Sequence, residues 1–68
     1  MEGTMKVGDR FQHRGDWQTE PGVWEITEAD LSLGRCRAKP IAGDALVHDE
    51  SWWDQTTVET VFKPQAPA

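Results

Sequence analysis

Gly22-Val23-Trp24-Glu25-Ile26-Thr27-Glu28 sets large apolar side chains against polar ones at a period of two, the pattern of a strand with one buried face. Trp24 and Ile26 point to one side of such a strand, and Val23, Glu25 and Thr27 to the other. Pro21-Gly22 punctuates the chain just before it. The segment reads as the central strand of a very small all-β domain, and the rest of the chain can be placed around it.

Towards the N-terminus, Gly8-Asp9 signals a turn and Phe11 is the one large apolar residue of the short strand that follows. Val7 and Phe11 are both expected in the core. Residues 14–22 are polar and rich in turn formers apart from Trp17, so they form a loop with Trp17 at its tip. Towards the C-terminus, residues 29–34 make a turn into Arg35-Cys36-Arg37-Ala38-Lys39-Pro40-Ile41, where alternation returns. The small residues Cys36 and Ala38 face Trp24 across the core, as close packing of large against small requires. Arg35, Arg37 and Lys39 form an outer stripe across from Glu25 and Thr27. Pro40 cannot donate to a ladder and marks its end or an edge.

Residues 42–44 are a second turn, Ala45 to His48 a short fourth strand, and residues 56–59 a helical turn capped by Asp54 or Thr56. Val61-Phe62 is expected to close the sheet as a last strand. The sequence therefore predicts a flexible N-terminus over 1–4, a barrel of four or five short antiparallel strands over 5–63, and a flexible tail over 64–68. Its core is expected to hold Val7, Phe11, Trp24, Ile26, Cys36, Ala38, Val58 and Phe62.

Sixty-eight residues make one domain, and so short a chain buries only about 60% of its unfolded surface. Four tryptophans and two phenylalanines let so small a chain reach stability without staples, since each large aromatic can bury roughly 150–250 Å². The single cysteine, Cys36, excludes an internal disulfide and a cysteine-based zinc site. No apolar run approaches the roughly 20 residues of a membrane span, and no signal peptide is visible, which points to the cytoplasm. Twelve acidic residues against seven basic ones give a net charge of −5. That balance disfavours sequence-independent nucleic-acid binding, which runs on phosphate neutralisation.

Gly8-Asp9-Arg10-Phe11, a glycine-bearing loop and Gly22-Val23-Trp24-Glu25-Ile26 resemble the strand–loop–strand unit of KOW and Tudor-type modules. The resemblance covers residues 8–26 closely and the remainder in outline. It implies an SH3-like barrel that uses its loops to bind RNA, ribosomal surfaces, polymerase or methylated peptides. The acidic charge departs from the nucleic-acid-binding members. The bare form, one barrel with no second domain, also resembles small proteins of bacteriophages and other mobile elements.

Nothing in the sequence spells a catalytic, metal or cofactor site. His13 and His48 lie far apart, outside any metal-ligand spacing, and are expected at the surface or rim. Cys36 falls on the core face, where thiols are inert. A pocket above roughly 300 Å³ is not expected of so short a chain. What stands out is Asp49-Glu50-Ser51-Trp52-Trp53-Asp54. In an extended segment one tryptophan faces in and the other out; shared parity with Leu46 and His48 puts Trp52 inside. Trp53 outside, ringed by Asp49, Glu50 and Asp54 and joined by Trp17, then suits a basic protein partner. The function this supports is a non-catalytic protein-binding module, an inhibitor or adaptor. The alternative is a KOW-like RNA- or DNA-binding module using Arg35, Arg37 and Lys39 with aromatic stacking.

Overall fold

The computed structural model describes residues 6–66; the expected flexible segment 1–4 and the last two residues of the expected tail lie outside them. Four strands form one antiparallel meander in the order β1 (Arg10–His13), β2 (Gly22–Asp30), β3 (Arg35–Gly43) and β4 (Ser51–Asp54). The all-β reading holds, with one short helix near the C-terminus: α1 (Gln55–Thr57) runs on as a π-helical turn over Val58–Phe62.

The barrel is not closed. The strand expected at Val61-Phe62 is helical, so β1 keeps one edge without a strand partner. The β-branched run Thr56-Thr57-Val58-Glu59-Thr60-Val61 favours a strand by propensity. Its ends decide otherwise. The Asp54 carboxylate accepts from the Thr57 amide (3.0 Å) and hydroxyl (3.1 Å), a side-chain N-cap. Four residues separate Val58 from Phe62, so one helical face brings both to the core, Val58 buried and Phe62 partly so.

β2 and β3 bend through two irregularities in their ladder. Thr27 is an extra residue in β2, between the pairs Ile26↔Ala38 and Glu28↔Arg37; Ile41 is one in β3. A bulge re-phases the strand beyond it, which is why Ile26 is buried and Ala29, three residues on, also packs on the core. The buried set is Phe11, Trp24, Ile26, Cys36, Ala38, Ala45 and Val58, with Trp53 and Phe62 packed against it.

Four expectations are corrected here. Val7 is largely exposed: it takes the first corner of a turn closed by the Asp9 amide on the Lys6 carbonyl (3.0 Å), with Gly8 at φ 98° in the second. Residues 45–48 are not a strand. Gly43 (φ 81°) ends β3 and a 3₁₀ turn follows over Asp44–Val47. Ala45 is buried there, donating its amide to the Pro21 carbonyl (2.9 Å), while Leu46 and Val47 face out. That turn breaks the parity running from Leu46, so the tryptophans are reversed. Trp53 pairs with Cys36 and shares its inward face, while Trp52 pairs with Arg37 and lies outside. His13, expected at the surface or rim, is buried because it alternates with Phe11 on the inner face of β1.

Gln65, within the expected tail, bonds Arg10 in both directions at 2.8 Å. Among the described residues this bridge is the one backbone pairing on the outer edge of β1.

Candidate functional site

A meander sends alternate connections to the same end. The β1–β2 loop and the segment from Asp44 to Glu50 therefore meet at one end of the sheet. Contacts besides the sheet ladder tie them together. Ala45 bonds Pro21, and the Glu20 carboxylate meets His48 Nε2. The His48 ring in turn stacks on Trp24, with centroids 6.3 Å apart. The hydrogen bond from His48 holds the Glu20 carboxyl below its ordinary range, aided by the Glu20 amide.

The β1–β2 loop is built on Asp16. Its Oδ1 accepts from the Gln18 and Thr19 amides, both at 2.8 Å, an Asx-type turn. Those two bonds hold the Asp16 carboxyl below the usual range, with a smaller contribution from His13. A depressed folded-state pKa means the turn is favoured above the carboxyl's ordinary range and loosens as pH falls through the depressed value. In an acid titration followed by amide NMR, the Gln18 and Thr19 signals should move together, at a midpoint lower than that of an unperturbed aspartate. A midpoint in the ordinary range would remove this account of the loop.

This turn presents Trp17 at 88% exposure. At the same end Leu46 and Val47 are 60% and 75% exposed, and Asp16, Glu20, Asp44 and Asp49 have exposed side chains. Apolar surface ringed by carboxylates thus gathers on paired loops. Of the residues expected to bind a partner, Trp17 and Asp49 lie here. Glu50 turns onto the outer sheet face, where its carboxylate takes the Thr27 hydroxyl. Trp53 is turned inward and half-buried by its contacts with Phe11, Trp24 and Phe62, centroids 4.9–5.9 Å apart. Asp54 is at the opposite end, capping the helix. Leu46 and Val47 escaped the sequence reading because a 3₁₀ turn, not a strand, carries them.

The basic stripe lies on the outer face as expected. Lys39 reaches Glu25 (3.8 Å) and Arg37 reaches Glu28 (3.6 Å). The guanidiniums of Arg35 and Arg37 both cover the Trp52 ring, at 4.1 and 4.6 Å from its centroid. Trp52 keeps only 38% exposure. Cations and the aromatic face are in contact with one another and with neighbouring acids.

His13 is held by its surroundings. Nδ1 accepts from the Gly15 amide (2.9 Å), so the ring proton sits on Nε2, 3.5 Å from Asp16. Burial pushes the Cys36 thiol up, with Glu59 and Asp54 adding to the shift, the reverse of what a thiolate nucleophile needs. Among the described residues no group of three or more His, Cys, Asp or Glu could hold a metal ion, and no helix is long and apolar enough to cross a membrane. Comparison with protein-family models, curated proteins and solved structures gave no match.

Proposed function

We propose that this chain is a non-catalytic protein-binding module that docks its loop end on a basic, partly apolar surface of a larger protein. The observation that carries this reading is the joined pair of loops with Trp17, Leu46 and Val47 exposed among Asp16, Glu20, Asp44 and Asp49. Exposed apolar side chains on tethered loops offer area at small ordering cost, and the ring of carboxylates selects a cationic partner. The net charge of −5 steers the same encounter. Inhibitors and adaptors of phage or mobile-element type have this economy, and the cytoplasm, with Cys36 reduced, is the setting that fits. Within the proposal the strand–loop–strand unit over residues 8–26 is of KOW or Tudor type, with binding moved to acidic loops.

The test pairs affinity capture from the source cell with an oligonucleotide titration. Trp17→Ala should weaken capture of the partner by about 2 kcal/mol or more, as interface tryptophans do, while Trp52→Ala leaves it unchanged. Short single-stranded DNA at low salt should leave the tryptophan fluorescence unmoved. A quench that fades as salt rises would instead favour nucleic-acid binding by Arg35, Arg37 and Lys39.

A further inference from the structure

The outer edge of β1 ends its pairing abruptly. Arg10 gives both backbone groups to Gln65. In an antiparallel pair the backbone groups of successive residues face opposite sides, so Phe11 turns to Trp24 in β2 and Gln12 turns back to the open edge. A continued ladder would set Lys63 against Gln12. Lys63 instead adopts φ 55°, ψ 71°, and its amide closes the helix on the Val58 carbonyl (2.9 Å). Among the described residues nothing takes its place beside the Gln12 N–H and C=O.

Two hollows flank this gap, larger than the sequence predicts for so short a chain. One of about 450 Å³ is lined by Arg10, Gln12, Phe62 and Lys63 among others, and one of about 480 Å³ by Gln12, Arg14, Val61 and Phe62 among others. Three of the chain's seven cations line them, and among the described residues no carboxylate side chain does. Arg10 reaches Glu25 (3.6 Å), while Arg14 and Lys63 make no ion pair among the described residues. Val61, 65% exposed, adds an apolar wall.

We propose that the β1 edge at Gln12 takes up an extended acidic segment of a partner protein as an added antiparallel strand. Gln65 shows that this edge accepts such a residue with two backbone bonds. Main-chain bonds at Gln12 would continue the ladder, the hollows would seat alternate side chains, and Arg14 and Lys63 would select carboxylates. A second copy of the chain fits poorly. Pairing Gln12 with its own copy sets Arg10 against Arg14 of that copy, and like charges directly opposite destabilise a strand pair. The site has the opposite sign to the loop end and stands whether or not that end binds a basic surface.

The experiment uses the full chain labelled with ¹⁵N and a blocked synthetic peptide alternating glutamate and valine. At saturation the Gln12 amide should shift and its hydrogen exchange slow about tenfold or more. A lysine–valine peptide of the same length should do neither, nor should the acidic peptide with its central amides methylated. The double variant Arg14→Glu, Lys63→Glu, its fold checked by the same spectrum, should lose the response. The proposal is overturned if Gln12 is unmoved at millimolar acidic peptide, or if both peptide charges act alike. It is overturned as well if Gln12 protection rises with protein concentration alone, which would mark self-association.

Discussion

Trp53→Ala is expected to lower the unfolding free energy by about 3–5 kcal/mol, and Trp52→Ala by about 1–2 kcal/mol. The two residues are neighbours in sequence, yet their surroundings differ in kind. Trp53 meets four other rings, those of Phe11, His13, Trp24 and Phe62. Its removal opens a cavity where β1, β2, β4 and the helix meet, and none of these elements can close over it without giving up its own contacts. At roughly 0.05–0.15 kcal/mol per residue, a chain of 68 residues has little beyond that loss. Trp52 is held from outside by two exposed guanidiniums, each contact contributing about 0.5–1 kcal/mol at such a site. Melting curves for both variants decide it. Equal destabilisation would mean that Trp52 also supports the core.

Gly22→Ala should cost about 2–3 kcal/mol, although it adds a single methyl group. A β-carbon there would lie 2.4 Å from the Ala42 carbonyl oxygen and 2.6 Å from the Ala45 β-carbon. Neither can swing aside, since one is main chain in β3 and the other is buried beneath the Pro21 carbonyl. Gly22 faces Gly43 across the ladder, and this double absence of side chains lets the 3₁₀ turn tuck Ala45 under the start of β2. Strain at this point also parts the two loops of the proposed docking end, so the variant should lose partner capture together with stability. Denaturant unfolding of Gly22→Ala beside Gly34→Ala provides the control. Gly34 has the left-handed conformation (φ 68°) but open space around its missing β-carbon. If Gly22→Ala costs no more than Gly34→Ala, close approach is not what requires glycine at position 22.

The parts of the fold legible from sequence are those where one period runs long enough to fix the phase. Trp24 with Ile26 and Cys36 with Ala38 come from two nine-residue strands, and all four are buried as expected. Legibility failed where a short segment takes its phase from a partner. The inward face of β4 is set by the pair Cys36↔Trp53, a tertiary fact, and counting along the chain from Leu46 crossed a 3₁₀ turn that resets it. The helical turn over residues 56–59 and its Asp54 cap were legible, but its continuation through Val61-Phe62 was hidden by the β-branched composition, although the four-residue interval from Val58 to Phe62 signals it. Val7 and Ala45 exchanged places against hydropathy for a related reason: turn geometry, not side-chain size, chose which was covered. The candidate site followed the same pattern. Trp17 and Asp49 were found because a loop tip is a local feature, and Leu46 and Val47 were missed because their outward direction is not.

The bridge between Arg10 and Gln65, together with the stacking of Phe11 on Phe62 at 5.2 Å, joins the first strand to the segment that follows the helix. Contacts so distant in sequence slow folding, because loop closure precedes the reward. During synthesis the consequence is sharper. β1 emerges from the ribosome first, but its inner face has no cover until Trp53 and the helix follow. The domain cannot settle in stages from its N-terminus. It must wait until Phe62 and Gln65 have left the exit tunnel.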